Sequence, residues 1–329
     1  MAKILVWVLL LWAGWHLYDF AHQPLPIAVT PVNFAVKPNS SLTHITEQLQ
    51  AYHVLPQGKV IAEQFSLLAR LTGQSSHLKA GFYQLTQAVT PLQLLTMLAK
   101  GQGIVRKMRF TEGWTFLQMR VALNMNPWIH HDTQQLSDAQ IAQLLGMPSN
   151  HLEGWFFPDT YDIAVDSTDM DILRRAHDTM QRRLQQAWHT RVQGLPYANA
   201  EQALVMASII EKETAEPNER SRIAAVFINR LHQGMRLQTD PTVIYGLGAA
   251  YHGNLHKTDL QYDTPYNTYT RFGLPPTPIA MPGMAAIDAA LHPVSSNELY
   301  FVSRGDGTHF FSSSLVDHNQ AVARYQKHQ

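Results

Sequence analysis

The chain has 329 residues and equal numbers of basic and acidic side chains, 25 of each, so its formal net charge is zero. Proteins that bind nucleic acid gain affinity from an excess of Lys and Arg that neutralises phosphates, and we therefore expect no nucleic-acid partner. The length allows two domains with hydrophobic cores. The absence of cysteine suits an oxidising compartment without requiring one.

The N-terminal segment from Ile4 to Tyr18 is almost purely apolar and contains tryptophans, which favour membrane interfaces. It lacks a clear small-residue cleavage site, and Lys3 favours a cytoplasmic N-terminus. We expect residues 1–21 to be an uncleaved single-pass transmembrane anchor. An amphipathic surface helix is the alternative, but this segment has no polar face. Residues 22–31 contain three prolines and are predicted to form a short linker.

Residues 32–104 are predicted to form a small α+β subdomain. Its expected elements are a strand at 34–36, a helix capped by Ser41, a helix over 59–71, a strand over 79–85 and a helix opened by Thr90-Pro91. This order resembles a LysM-type glycan-binding module. A spacer that holds the following domain away from the membrane would give the same pattern.

Residues 105–329 are predicted to form a larger mixed α+β domain, so the fold class expected for the whole chain is α+β. The predicted elements are a strand at 105–110, helices capped by Thr111, Ser137 and Thr168, a helix over 284–291, a hairpin joining 299–302 to 309–311, and a terminal helix over 317–325.

An aromatic segment in this domain, LEGWFFPDTY at 152–161, differs from an ordinary loop. Sugar-binding clefts combine aromatic faces, which stack on pyranose C–H groups, with carboxylates that bind hydroxyls. Glu153, Phe157 and Tyr161 are therefore candidate substrate-binding residues. A buried aromatic corner is the alternative interpretation.

The stretch from Glu201 to Gly248 begins as an apolar helix that ends in two carboxylates, Glu211 and Glu213. Pro217 stops this helix because proline removes a backbone donor and disfavours helix at the preceding residue. A second helix is predicted to begin at Asn218, a good N-cap, and to end at Gly234.

Residues two apart lie on roughly opposite faces of a helix. Glu213 shares its face with Met206, Ile209 and Ile210, the more apolar side, which predicts a raised pKa and makes it a candidate general acid. A solvated helix end with structural charges is the alternative. If Glu213 is not the acid, Glu211 is the next candidate.

The 17 histidines match no standard set of metal-ligand spacings, and no phosphate-loop, hydrolase-elbow or zincin motif is present. We therefore expect no metal site and no cofactor.

Eight motifs identify a resemblance. In chain order they are LEGWFFPDTY, ASIIEKET, VFINRL, MRLQTDPTVIYG, YNTY, GLPPTPI, ALHP and YFV. Together they resemble the endolytic murein transglycosylases of the YceG-like family, from about Phe34 to the C-terminus and most closely between Leu152 and Val302. The resemblance implies a single-pass inner-membrane protein with a periplasmic LysM-like subdomain and a catalytic domain. It also implies cleavage of nascent peptidoglycan strands between MurNAc and GlcNAc, leaving 1,6-anhydroMurNAc ends, and association with peptidoglycan synthases (penicillin-binding proteins).

In this family the acid is the second glutamate of the E-K-E-T motif, which is Glu213 here. The resemblance further implies that one carboxylate suffices, because the muramyl C6 hydroxyl acts as an internal nucleophile. The remaining candidate substrate-binding residues are polar or aromatic side chains in the motifs that follow: Gln238, Thr239, Asp240, Tyr266, Asn267 and Tyr269.

Two other functions stay open at this point. A muramidase-type hydrolase would use Asp240 as a second carboxylate beside Glu213, since hydrolysing glycosidases need two. A membrane-anchored glycan-binding scaffold would use neither residue for chemistry.

Overall fold

A computed structural model of the chain describes residues 2–27, 29–148 and 150–325. The chain separates into two compact units. The first contains the chain up to Met108 together with 127–130 and 162–168. The second contains 109–126, 131–161 and the chain from Asp169 onward. The fold is mixed α+β and begins with an apolar helix, as predicted.

The first helix, α1 (Ala2–His22), carries the apolar N-terminal segment. Its stretch Lys3–His22 has a mean hydropathy of 1.5 and is only 6% buried. Among the described residues it is the one helix long and apolar enough to cross a membrane. Length and composition alone give this result, and a signal sequence has the same properties.

The rest of the first unit is built around a two-stranded antiparallel sheet, β1 (Val32–Val36) and β2 (Gly81–Leu85). Three helices complete it: α2 (Leu42–Ala51), α3 (Lys59–Leu71) and α4 (Pro91–Lys100). Phe34 pairs with Tyr83 across the sheet, and their stacked rings, 5.3 Å apart, lie in the core. Ser41 caps α2 and Thr90 caps α4, as predicted.

The remaining elements follow in chain order: β3 (Arg106–Arg109), α5 (Phe116–Asn124), α6 (Asp138–Leu144), β4 (Thr160–Ile163), α7 (Asp169–Thr190), α8 (Ala200–Glu213), α9 (Arg220–His232), α10 (Asp240–Leu247), α11 (Lys257–Gln261), α12 (Met284–Leu291), β5 (Tyr300–Ser303), β6 (His309–Ser312) and α13 (Leu315–Tyr325). β3 pairs with β4, and β5 forms an antiparallel hairpin with β6.

Helix α8 is the centre of the second unit. Every residue from Ala203 to Ile210 is buried, and α7, α9, α10 and α12 pack around the helix. Both faces of the helix are covered, so burial of the preceding residues does not distinguish the face of Glu213 from that of Glu211. Ser208 is accommodated in this core because its hydroxyl donates to the carbonyl of Val205 (2.7 Å) and accepts from the N–H of Ile279 (3.0 Å).

Two predicted helix starts differ from the structure. Thr115, and not Thr111, caps α5, because Thr115 and Gln118 form a reciprocal capping box one turn later. Asn218 is not the N-cap of the helix after Pro217. A short 3₁₀ turn, Pro217–Glu219, comes first, with the carboxylate of Glu216 accepting from the Asn218 N–H.

Candidate active site

The site is built where α8 ends. Glu213 is the last residue of the helix, and Thr214 turns into extended backbone directly after it. This places the Glu213 carboxyl at the open end of an otherwise buried helix, where it is partly buried. Its Oε2 accepts a hydrogen bond of 2.6 Å from the Thr239 hydroxyl.

A cavity of about 490 Å³ opens beside this carboxyl. Its wall comes from α8, α9, the segment before α10, the start of α10, the loop that carries Tyr269, the β5–β6 hairpin and α13. The lining residues are Glu213, Phe227, Arg230, Leu237, Gln238, Asp240, Tyr269, Phe301, Val302, Ser303, His309, His318 and Val322. Four of the candidate residues therefore meet at one cavity: Glu213, Gln238, Asp240 and Tyr269.

Burial is the main reason that the pKa of Glu213 is raised above its usual value, and the negative charge of Asp240 adds to the effect. The Thr239 hydroxyl opposes it because this hydrogen bond favours the ionised carboxylate, and His309 acts in the same direction. The net effect shifts Glu213 toward the protonated form, which a general acid needs at the start of a reaction.

The segment that carries Thr239 is fixed by backbone geometry and buried hydroxyls. Gln238 has a left-handed conformation with φ of +52°, which is uncommon for a residue other than glycine. The Thr239 N–H donates to the hydroxyl of Thr268 (3.1 Å), which also contacts the hydroxyl of Thr242 (2.8 Å). These contacts hold the Thr239 side chain against Glu213.

Asp240 begins α10 and is exposed on the cavity wall, where its Oδ1 accepts from the Tyr269 hydroxyl at 2.6 Å. Asn267 lies behind Tyr269 and is fully buried. Its amide group donates to backbone carbonyls and its Oδ1 accepts from the Tyr269 N–H (2.8 Å). The structure therefore gives Asn267 the role of shaping the loop that presents Tyr269.

Glu211 has a different environment from Glu213. It does not line the cavity, and its Oε2 accepts from the N–H of Gly283 at 3.0 Å. Burial also raises its pKa, so a raised pKa does not separate the two glutamates. A side chain at position 283 would collide with Glu112, whose Oε1 lies 1.9 Å from the position of an added Cβ.

The aromatic segment lies in the core and not at the cavity. Glu153 is 8% exposed and accepts from the Phe116 N–H (2.9 Å) and the Tyr245 hydroxyl (3.1 Å). Burial raises the pKa of Glu153 to about 7. Phe157 is buried, and the hydroxyl of Tyr161 donates to its carbonyl (2.7 Å). This geometry corresponds to a buried aromatic corner, and a substrate-binding role for these residues stays a prediction.

Tyr266 is also outside the cavity. Its hydroxyl contacts the hydroxyl of Thr277 at 2.8 Å, and its ring packs edge-on against Tyr245 at 4.8 Å. It therefore ties the proline-rich loop to α10. The loop also needs Gly154, because a Cβ there would lie 2.3 Å from Pro278.

Several cavity residues were not anticipated from the sequence. Arg230 projects from α9, within the VFINRL motif, and Phe301 and His309 come from the C-terminal hairpin. His309 is held by Glu219, whose carboxylate contacts the ring Nδ1 at 2.7 Å and the backbone N–H at 3.0 Å. Only the tertiary fold brings residues 90 positions apart together, so no local spacing could indicate this pair.

Within the described part of the chain, no group of three or more His, Asp or Glu side chains is arranged to hold a metal ion.

Comparisons with known proteins agree with these observations. The sequence profile of the YceG-like family matches residues 34–324. A Bacillus subtilis protein named endolytic murein transglycosylase is 31% identical over 313 residues, covering 90% of this chain and 85% of the relative. A Streptococcus pneumoniae protein of the same name is 26% identical, covering 98% of this chain and 64% of the relative. A crystal structure of a yceG-like protein from Listeria monocytogenes superimposes with a TM-score of 0.56 at 28% identity, covering 88% of this chain and 98% of that one. The chain belongs to the YceG-like family.

Proposed function

We propose that this protein is an endolytic murein transglycosylase, a lyase that cleaves peptidoglycan strands between MurNAc and GlcNAc and leaves 1,6-anhydroMurNAc ends. Relatives of that name align over nearly the whole chain. The observation that carries the proposal is Glu213, a carboxyl with a raised pKa at the wall of a cavity of about 490 Å³. Cleavage within nascent strands would help to terminate their elongation.

Glu213 supplies the proton for the first step. Because Thr239 donates to Oε2, Oε1 is the oxygen left to carry the proton toward the cavity. This proton moves to the glycosidic oxygen, the bond from that oxygen to the muramyl C1 breaks, and GlcNAc leaves with a hydroxyl group. Glu213 is then a carboxylate, and the Thr239 hydrogen bond stabilises it.

The second step closes the anhydro ring. The muramyl C6 hydroxyl attacks C1, and its proton returns to Glu213, so that the enzyme is regenerated and no water is consumed. Because the nucleophile belongs to the same sugar, the entropic cost of recruiting a second reactant is avoided, an effect worth up to about 7–11 kcal/mol when the groups are well oriented.

The other cavity residues have supporting roles. Positive charge develops on the muramyl ring as the C1 bond breaks, and oriented dipoles that face the ring stabilise it. The side-chain oxygen of Gln238 and the pair formed by Tyr269 and Asp240 are the candidates that line the same cavity as Glu213.

Product analysis tests the proposal directly. The full-length protein in detergent micelles is incubated with isolated murein strands, and the new ends are identified by mass spectrometry. We expect 1,6-anhydroMurNAc ends. Reducing muramic ends would instead establish a muramidase, a candidate favoured by one observation: Asp240 shares the cavity with Glu213 and could serve as the second carboxylate.

A non-catalytic glycan-binding scaffold is tested with Glu213→Gln. We expect this variant to lose strand cleavage while its folding and its binding to sacculi persist. Glu211→Gln is the matched control, since Glu211 lies on the same helix but bonds to Gly283 and does not line the cavity. Unchanged release of anhydro ends by Glu213→Gln would refute the assignment of the acid.

We further propose that α1 anchors the chain as a single inner-membrane span with a cytoplasmic N-terminus, and that the catalytic unit is periplasmic. The apolar stretch Lys3–His22 is compatible with this arrangement. We propose a LysM-like, glycan-binding role for residues 32–104, supported by the order β1–α2–α3–β2, and an association with peptidoglycan synthases. Protection of the catalytic unit from protease in inverted vesicles tests the topology. Sacculus binding by Glu213→Gln, with and without substitutions in the first unit, tests the glycan-binding role.

A further inference from the structure

The cavity beside Glu213 contains a cation that the bond cleavage described above does not use. Arg230 lines the cavity and is only 8% exposed. The hydrogen bonds of its Nε and Nη1 reach four acceptors: the carbonyls of Leu299 (2.7 Å), Arg236 (3.1 Å) and Leu237 (3.0 Å), and Oε1 of Gln238 (3.3 Å). Among residues 2–27, 29–148 and 150–325, none accepts a hydrogen bond from its Nη2.

Arg230 also lacks a counter-ion in the described part of the chain, where no carboxylate lies within 4.0 Å of its guanidinium. Arg222, on the same helix, illustrates the contrast because its guanidinium is paired with Glu298. Burying a guanidinium without a carboxylate is unfavourable, and burial accordingly lowers the pKa of Arg230. An anionic ligand would remove this cost.

The carboxylates on the cavity wall do not neutralise Arg230, since each has another partner. Glu213 accepts from Thr239 and has a raised pKa, while Asp240 accepts from Tyr269. The nearby His318 adds an unsatisfied polar atom behind the wall, because its buried Nδ1 has no hydrogen-bond partner among the described residues. The wall around Arg230 therefore presents a cationic edge that no carboxylate of the described chain neutralises.

We propose that Arg230 binds a carboxylate of the murein strand through Nη2, next to the sugar whose bond Glu213 cleaves. This inference rests on the proposed function. The sugar rings of murein are uncharged, so the carboxylate has two sources. It belongs either to the peptide stem on the muramyl lactyl group or, once the stem has been removed, to the lactyl group itself. Both offer the same planar anion to a guanidinium.

The consequence is a preference for charged strands. A hydrogen bond between two charged groups in a desolvated site contributes more than a neutral one, and we expect its loss to raise KM about 10- to 100-fold. The kcat should change less, because Arg230 holds a part of the substrate that does not react and binds it equally in the ground and transition states.

The experiment uses the full-length protein in detergent micelles and four strand preparations. These are strands with peptide stems, the same strands after their carboxylates are converted to primary amides, strands stripped of stems, and stripped strands with the lactyl carboxylate amidated. The release of anhydro ends is measured for the wild type, Arg230→Gln, Arg230→Lys and the control Arg222→Gln.

We expect the wild type and Arg222→Gln to show a KM about 10- to 100-fold lower for the charged form of one strand type, and Arg230→Gln to show no such preference. The strand type that shows the effect identifies the source of the carboxylate. Arg230→Lys should keep part of the preference because it retains the charge.

Equal cleavage of charged and amidated strands by the wild type would overturn the inference while leaving the proposed function intact. An equal loss of cleavage by Arg230→Gln on charged and amidated strands would also overturn the inference, since it would show that Arg230 has only a structural role. If Arg230→Gln does not fold, the wild-type comparison and Arg230→Lys decide. Absence of anhydro ends from every preparation would contradict the proposed function itself.

Discussion

Two carboxyls in the second unit, Glu213 and Glu153, have similar chemistry but different surroundings. Burial raises the pKa of both, and each accepts a hydrogen bond from a hydroxyl, Thr239 at 2.6 Å and Tyr245 at 3.1 Å. Glu213 lines a cavity of about 490 Å³, whereas Glu153 lies in the core with both oxygens occupied by protein donors. The comparison teaches that a raised pKa makes a carboxyl able to hold a proton, and that access decides whether the proton can be used.

The two carboxyls also differ in the neighbouring groups that change their pKa. Asp240 and His309 adjust the proton affinity of Glu213 from the cavity wall in opposite directions. Burial is the largest cause of the raised pKa at both carboxyls, but the donors that oppose it at Glu153 occupy both of its oxygens inside the core. We therefore expect substitutions at Glu213 to affect activity and substitutions at Glu153 to affect stability.

The largest expected effect separates the two carboxyls by activity. Glu213→Gln should lower the release of anhydro ends by about 10²–10⁴-fold, the usual contribution of a general acid. Glu153→Gln should retain activity within about threefold at a temperature where it is folded, because its oxygens do not reach the cavity. Initial rates on isolated strands measure both. A loss of activity in Glu153→Gln as large as that in Glu213→Gln would contradict a purely structural role for Glu153.

The second prediction concerns the effect of Glu153 on the pH dependence of stability. The pKa of Glu153 rises from an ordinary 4.5 to about 7 in the folded protein. Between these values the folded protein holds a proton that the unfolded chain has released, so the free energy of unfolding falls as pH rises through this window. The full effect is about 3 kcal/mol above pH 7.

Glu153→Gln lacks this proton and should gain stability relative to the wild type by up to about 3 kcal/mol between pH 4 and pH 8. Urea unfolding of both proteins at several pH values measures the difference. If the difference in the free energy of unfolding between the two proteins does not change with pH, Glu153 does not have the raised pKa.

The third prediction concerns the two hydroxyl donors. Thr239→Val removes the hydrogen bond that favours ionised Glu213, so the pKa of Glu213 should rise further. Since kcat/KM requires protonated Glu213, its alkaline limb should move to higher pH, with a loss of about tenfold at the optimum from poorer orientation. Tyr245→Phe is the counterpart at Glu153 and should leave the pH–rate profile unchanged. A profile that moves with Tyr245→Phe would mean that Glu153 participates in the reaction.

Local signals predicted much of the fold. Proline, glycine and capping residues gave the end of α8 before Pro217, the end of α9 near Gly234, where φ is +64°, and the span of α12. Thr111 gave a wrong helix start because a single threonine is a weaker signal than the capping box formed by Thr115 and Gln118. A single capping residue therefore predicts a helix start only where no capping box lies within one helical turn of it.

The site was less predictable because it depends on contacts between distant segments. The apolar run before Glu213 predicted its position at the end of a buried helix. The segment 238–240 was predicted to follow the next helix of the same stretch. The opposite wall comes from His309 and Phe301, and their approach to α8 depends on where the hairpin packs. An aromatic run likewise cannot reveal whether it faces a cleft or the core, and at Phe157 the structure shows the core.

The smallest predicted effect concerns Asp240, on the wall of the cavity. The charge of Asp240 raises the pKa of Glu213, so Asp240→Asn should lower that pKa and move the alkaline limb of kcat/KM downward, opposite to Thr239→Val. The shift should be smaller than that of Thr239→Val because Asp240 is exposed and solvent screens its charge. Asparagine keeps an oxygen for the Tyr269 hydroxyl, which preserves the local structure.

A shift of this sign with anhydro products unchanged means that Asp240 acts on Glu213 only through its charge. Loss of all cleavage by Asp240→Asn would instead mean that the reaction needs a second carboxylate, as a hydrolase does.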